Sequence, residues 1–379
     1  MVSPESHIAS LLTESIAAGD FPSAVYLVSE RGQTIFTGAL GYAVREPDRI
    51  PATVDTIYDL ASITKPLITG LLCARRIELG ELTLDSSLSH YLPEFDRTDK
   101  QMITVRELLT HTSGFPAWRP LYVQAEGRRD ATVAAIASER LEYRPGTHVV
   151  YSDLGFIALG FLLERMTGVG FVELAYREII EPLKLNHTFF NPGIGTRTRI
   201  AASEKGNVYE QETSSRTEAT GAQVDSSFWR ENVIWGEVHD GNAYFLGGAA
   251  GHAGLFSTAS ETLRLAEQFI AARTQLLTPE TCALFQTNMT VGLEEARSVA
   301  WQLATTKDST AGPRLSPDSF GHTGFTGTSC WIDPGRERVF ILLTNRTHAR
   351  DLPFVNINSV RRQFHTLAVS ELDRPGGLD

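Results

Sequence analysis

Lysine is scarce in this chain. Five of its 34 basic residues are lysines (Lys65, Lys100, Lys184, Lys205 and Lys307), so a lysine inside a chemical motif is unusually informative. Cysteine is scarcer still. Cys73, Cys282 and Cys330 are odd in number and widely spaced, which gives neither a disulfide framework nor a zinc pattern. Positive charge is in deficit, 34 Lys and Arg against 45 Asp and Glu, and the net charge of −11 argues against a nucleic-acid or acidic-lipid partner. No apolar run approaches the ~18 residues of a membrane span. The longest, Gly155 to Leu163, stops at Glu164 and Arg165. No Lys or Arg precedes Arg31, so the basic start of a secretory signal is missing and a cytoplasmic protein is the expectation. Also absent are a Gly-x-Ser-x-Gly nucleophile elbow, a phosphate loop, a dinucleotide fingerprint and an internal repeat. His239, Asp240 and His252 lack the paired spacing of metal ligands, so neither a metal nor a cofactor is expected.

What is present is ordinary globular composition, 42% hydrophobic and 21% charged over 379 residues, enough for two or three structural units. Ser3 and Pro4 open a helix whose Ile8, Leu11, Leu12 and Ile16 share a face. A β-hairpin follows, Ala24 to Ser29 and Thr34 to Gly41 around Glu30-Arg31-Gly32-Gln33. The other end mirrors it. Thr328 to Ile332 and Val339 to Thr344 flank the turn Asp333-Pro334-Gly335-Arg336, and a helix is expected from about Asn356 to Leu372. One antiparallel sheet built from both termini and flanked by helices, an α+β arrangement, is the simplest reading.

The middle reads as helical. Ser62 to Leu79 carries an apolar stripe ending at Gly80, and Pro66 requires that helix to start close to Ser62. Thr104-Val-Arg-Glu107 and Thr258-Ala-Ser-Glu261 are capping boxes. Helices are expected from Asp153 to Met166, stopping at Gly168, and from Phe171 to Leu183. The polar stretch Ala202 to Trp235 is either a long loop over a site or a partly mobile insertion.

Three segments carry chemistry. Ser62-Ile-Thr-Lys65 puts a serine and a lysine on one helix face. A serine hydroxyl needs a nearby base, and a lysine serves if its surroundings lower its pKa. The N–H groups of a helix start suit a developing oxyanion. The bland alternative is a cap beside a surface lysine, but the apolar flanks Leu60 and Ala61 speak for burial. In Tyr151-Ser152-Asp153 the tyrosine is a candidate proton relay, although a capping Ser152 or Asp153 with a packed Tyr151 explains the same residues. His322-Thr323-Gly324, before Phe325, reads as a glycine-softened strand edge that either binds a substrate carbonyl or forms a bulge.

Together, Ser62–Lys65, Tyr151-Ser-Asp153 and His322-Thr-Gly324 resemble the serine β-lactamase and penicillin-binding-protein superfamily. The nearest branch is the class C β-lactamase-like group, with its family VIII esterases and D-aminopeptidases. That group's marks run Ser-x-x-Lys, Tyr-x-Asn, Lys-Thr-Gly in this order. Leu108-Leu-Thr-His-Thr-Ser-Gly-Phe115, Gly251-His-Ala-Gly-Leu-Phe-Ser-Thr258 and Gly80-Glu-Leu-Thr-Leu-Asp85 also look like it, and the resemblance covers about Ser23 to Arg346. It implies a sheet domain over 1–75 and 245–379, an all-helical insertion over 76–244 with a long loop at 202–235, and an active site in the groove between. It implies Ser62 as acylated nucleophile, Lys65 and Tyr151 as base and acid, and an oxyanion hole from the N–H groups of Ser62 and Phe325. Asp153, His322, Thr323 and Gly324 would contact the substrate.

Two departures bear on activity. Asp153 stands for Asn, and an ion pair with Lys65 would raise the lysine pKa and leave Tyr151 more of the work. His322 stands for Lys and is expected to be partly charged near neutral pH, which weakens carboxylate binding and favours small esters. The expected function is a serine hydrolase cleaving small esters or amides. The alternatives are a β-lactamase, a D-alanyl-D-alanine carboxypeptidase, a D-aminopeptidase, an acyltransferase or a non-catalytic binding protein on the same fold. The partner would be a small ester, amide or β-lactam.

Overall fold

The computed structural model describes residues 4–216 and 229–374. Among the described residues the strands are β1 (Ser23–Glu30), β2 (Gln33–Val44), β3 (Ile50–Pro51), β4 (Tyr58–Asp59), β5 (Phe256–Ser257), β6 (Gln302–Leu303), β7 (Phe320–Thr323), β8 (Ser329–Asp333) and β9 (Arg338–Thr344). Seven form one sheet in the order β3-β2-β1-β9-β8-β7-β6, while β4 pairs with β5 apart from it. Central β1 pairs antiparallel with β2 and β9, with Val25 opposite Ala39 and Leu343. The sheet is therefore built from both ends of the chain, as the two hairpins imply.

Alternation along the strands divides two cores. Val25 and Leu27 of β1 with Ile341 and Leu343 of β9 face the larger core, shared with the helices of the middle of the chain. Ala24, Tyr26 and Val28 with Phe340 and Leu342 face the smaller one, closed by Ile8 and Leu12 of the first helix (Pro4–Ala18) and Phe364 and Ala368 of the last (Asn358–Leu372). Both faces are covered, which explains why β1 and β9 read as nearly continuous apolar runs. Ser3, the expected cap of the first helix, lies outside the described residues. The first hairpin loop is tighter than expected, because Arg31 and Gly32 both have positive φ (50° and 75°) and make a two-residue turn.

Several helices depart from expectation. Ser62 to Leu79 is not one regular helix but a 3-10 turn (Ala61–Ile63), a π-helical stretch (Lys65–Gly70) and an α-helix (Leu71–Glu78). Pro66 lacks the N–H that would close an α-turn onto Ser62. The Phe171 helix likewise widens to π at Tyr176–Ile180. Thr104 and Glu107 form the full capping box. At Thr258 only half of it exists, since the Glu261 carboxylate turns away to accept from the Asn186 and His187 N–H groups and the Thr188 hydroxyl. The polar 202–235 stretch includes a helix, Val208–Arg216. Its signal is not in the periodicity but in tertiary contacts: Glu204 accepts from the Tyr209 N–H at 2.9 Å, and buried Glu210 accepts from the Gly241 N–H and the Tyr122 hydroxyl. Residues 217–228 of that stretch lie outside the described residues. No single helix among the described residues is long and apolar enough to cross a membrane.

The Asp153–Thr167 helix matches expectation at both ends, with Ser152 capping its start and Gly168 closing it at φ +69°. A Cβ at Gly168 would meet nothing within 4 Å, so only backbone strain opposes a side chain there. Gly168→Ala should therefore lower stability by about 1 kcal/mol in urea unfolding with an unchanged slope. A larger loss, or a changed slope, would mean that packing also depends on that glycine.

Candidate active site

Three segments converge on Lys65. Its turn places Nζ 2.9 Å from Ser62 Oγ. The 251–254 loop offers the His252 carbonyl at 3.2 Å. The helix that Ser152 caps brings Asp153 Oδ1 to 2.7 Å, and the Tyr151 ring centroid lies 4.8 Å from the ammonium. Lys65 is fully buried. Burial is the largest single influence on its pKa and pushes it down, but the Asp153 charge, then Tyr151, outweigh it and the net shift is upward. The ion pair expected from Asp153 is thus present, and Lys65 rests as an ammonium. Burial first, then Asp153, push the Tyr151 phenol up against the opposing pull of Lys65. Tyr151 rests as a neutral phenol; its hydroxyl meets no partner at full hydrogen-bond geometry among the described residues, with Lys65 and Ser62 the side chains that pull its pKa down.

The Tyr151 ring packs between two imidazoles. It lies 4.4 Å from His111 and 5.7 Å from His322, centroid to centroid. His111 bonds the backbone of the loop before the helix. Nδ1 accepts the Ser152 N–H and its carbonyl accepts from Val150 and Tyr143.

Ser62, Tyr151, Asp153, His322, Thr323, Gly324 and Phe325 all line one cavity of about 720 Å³, with Lys65 beneath it. Gly324 has to be glycine. A Cβ there would stand 2.5 Å from the Leu60 carbonyl and 3.2 Å from the Ala61 Cβ, so this close approach brings the His-Thr-Gly strand end against the Ser62 turn. The Phe325 N–H has no hydrogen-bond partner among the described residues, as an oxyanion donor requires.

His322 corrects an expectation. Burial first, then the charges of Lys65 and Arg297, hold its pKa well below the ordinary value of 6.5, so it is neutral rather than partly charged at neutral pH. Nδ1 lies 2.9 Å from the Thr323 carbonyl and donates to it, which leaves Nε2 as an unpaired acceptor.

The cations of the cavity come from residues that no motif marks. Arg297 is buried, stands 5.8 Å over the Tyr151 ring and directs Nε and Nη2 to Glu295, leaving Nη1 without a partner among the described residues. Arg346 lies over the Phe325 ring and donates to the Phe325 carbonyl. Arg361, on the last helix, donates to the Gly324 and Thr328 carbonyls and is pushed down to about 9, mainly by burial. Tyr209, Phe325 and Phe354 form an aromatic wall, with Tyr209 and Phe325 centroids 4.7 Å apart. Trp229 and Trp235 do not line the cavity. Trp229 packs on Tyr122, and Trp235 donates to the Ile200 carbonyl.

His239 pairs with Glu204 and His252 with Asp240, both at 2.8 Å. Asp153, Asp240 and His252 bring one ligand atom each within 4.8 Å of one another. The Lys65 ammonium sits on Asp153 and His252 Nε2 is engaged by Asp240, so a fixed protein cation already answers these carboxylates.

The Beta-lactamase family model matches residues 8–360. A putative D-alanyl-D-alanine carboxypeptidase of Escherichia coli (strain K12) is 31% identical over 362 residues, 87% of this chain and 79% of that protein. An N-acetylmuramyl-L-alanine amidase of Bacillus subtilis (strain 168) is 32% identical over 372 residues, 89% of this chain and 80% of that one. Among solved structures, a class C β-lactamase superposes with a TM-score of 0.73 at 18% identity, covering 98% of this chain and 97% of that one. EstCE1, a hydrolase with promiscuous acyltransferase activity, gives 0.73 at 22% identity, covering 97% and 98%. With the serine, the lysine and the sheet in these places, the chain belongs to the β-lactamase family and is a serine hydrolase of it.

Proposed function

We propose that the protein cleaves small amides, and esters of similar shape, through an acyl-Ser62 intermediate. The observation that carries this reading is the 2.9 Å contact between Ser62 Oγ and a fully buried Lys65 at the floor of a single large cavity. Ser62 Oγ attacks the carbonyl carbon and the N–H groups of Ser62 and Phe325 receive the oxyanion. The Ser62 proton passes through Lys65 and Tyr151 to the leaving group, and water then releases the acyl group by the same path in reverse. Asp153, His322, Thr323 and Gly324 contact the substrate. The amide preference is supported by the names of the two relatives given above, both of which denote amide-bond hydrolysis. Small esters were favoured because position 322 has no fixed cation, but Arg297 and Arg346 line the same cavity and supply one. A non-catalytic binding role on this fold would have no use for a buried lysine held against a serine.

Ser62 is the only serine with a lysine three residues later. A fluorophosphonate should add mass to the Ser62 peptide, and Ser62→Ala should lose labelling and nearly all turnover while keeping its melting temperature. Label on Ser113 or Ser329 instead would overturn the assignment.

Lys65 rests protonated and so does Tyr151, so one of them must lose a proton before Ser62 can. Acylation should therefore rise with pH. Lys65→Ala and Tyr151→Phe should each lower kcat at least ~100-fold, with losses less than additive. Asp153→Asn removes the charge that raises the lysine, so the rising limb of the pH–rate profile should move to lower pH. An unmoved limb would show that Lys65 is not the titrating group.

Because His322 stays neutral, the preference for a carboxylate-bearing substrate over an uncharged one of equal reactivity should not change between pH 8 and 5.5. Arg297→Gln should lower that preference on the order of tenfold, the scale of a hydrogen bond to a charged group. A preference that climbs as pH falls would place a titrating histidine on the carboxylate and remove Arg297 from that role.

A further inference from the structure

The residue before the proposed nucleophile has a conformation that alanine avoids. Ala61 has φ +48°, in the left-handed region, and is buried. Left free, an alanine relaxes to a right-handed or extended conformation, which would swing the Ala61–Ser62 peptide and with it both the Ser62 hydroxyl and the Ser62 N–H.

The side chain of Asp59, at the end of β4, opposes that relaxation. Its Oδ1 accepts the Ala61 N–H and its Oδ2 accepts the His239 N–H, each at 2.8 Å. Backbone contacts fix the other side of the segment. Thr326 Oγ1 donates to the Asp59 carbonyl at 2.8 Å, Thr328 Oγ1 to the Leu60 carbonyl at 2.9 Å, and the Leu60 N–H reaches the Leu255 carbonyl. His239 carries the link further. Its ring is anchored to Glu204 at 2.8 Å and lies 5.4 Å from the Phe325 ring, tilted by 26°. The two N–H groups proposed for the oxyanion hole, of Ser62 and of Phe325, are thus tied to each other through Asp59 and His239. Asp59 is buried and does not line the cavity, so it cannot act on substrate directly.

We propose that Asp59 is a positioning residue. Its carboxylate holds Ala61 in the left-handed conformation that aims the Ser62 hydroxyl at Lys65 and the Ser62 N–H into the cavity. The inference rests on the acyl-Ser62 reading.

The test is rescue by glycine, which occupies positive φ without a Cβ clash. The rate of Ser62 labelling by a fluorophosphonate, together with kcat and KM, is measured for the wild type, Asp59→Ala and Asp59→Ala/Ala61→Gly, with melting temperatures alongside. Asp59→Ala should slow labelling and lower kcat by about 10- to 100-fold, the span that strain of one such residue allows, with KM changed far less. The double variant should regain at least about tenfold in both rates, because glycine holds the conformation without the clamp. A purely structural loss would not be recovered by adding a glycine. Labelling of Asp59→Ala at the wild-type rate would overturn the inference, and so would an equal or deeper loss in the double variant. Should Asp59→Ala fail to fold, Asp59→Asn keeps the size and one acceptor, and the same rescue by Ala61→Gly decides. An unlabelled Ser62 in the wild type would instead sink the acyl-serine reading itself, so the two failures are distinguishable.

Discussion

Lys65 carries a charge with no access to water, and an unpaired ammonium in that position would cost several kcal/mol. Everything around it answers that constraint. The Asp153 carboxylate, the His252 carbonyl and the Ser62 hydroxyl take its donors, and the faces of Tyr151 and Phe156 stand 4.8 and 5.9 Å away. These partners come from a turn after β4, from the loop before β5 and from the helix that begins at Asp153. None can move without exposing the charge or leaving it uncompensated, so these three segments are locked in one relative position. A pair of this kind adds little net stability but is strongly destabilising to break, and its main effect is to fix geometry. The same closeness explains Gly324, whose missing Cβ lets the β7 end lie against Leu60 and Ala61.

How much of this was legible depended on whether the cause was local. The Asp153–Thr167 helix shows its cap, its apolar body and its glycine stop within 17 residues of sequence. The terminal hairpins show their turns. Ser62–Lys65, Tyr151 and His322-Thr-Gly324 were readable because chemistry fixes the residue types and their order, and the structure does bring them to one cavity. Where the cause is distant, local reading fails. The helix after Ser62 breaks into 3-10 and π turns, and in its π stretch an added Cβ at Gly70 would stand 2.7 Å from the Ala300 Cβ. Glu261 leaves its capping box because the N–H groups of 186 and 187, over 70 residues away, compete for it. Asp59, Arg297 and Arg361 sit in unremarkable sequence, and their places in the site exist only after folding. The charge of His322 belongs to the same class, since it is set first by burial and then by Lys65 and Arg297, which folding brings to it.

The two departures from the family pattern act on the same group. A lysine at 322 would stand near Lys65 and, by repulsion, help to lower its pKa. The neutral imidazole found there removes that repulsion. An asparagine at 153 would leave Lys65 without a counter-charge, whereas Asp153 supplies one at 2.7 Å. Both changes favour the ammonium. The result is a lysine that is better held and less basic in the kinetic sense, because the proton must leave before it can take another. Arg297 returns a positive charge to the cavity but spends two of its donors on Glu295, so it adds less than a free cation to the field at Lys65. The site is thus more negative around its base than the pattern with Asn and Lys would be. Its working range should therefore be displaced towards alkaline pH for a reason that lies in two side chains, neither of which touches the serine's oxygen.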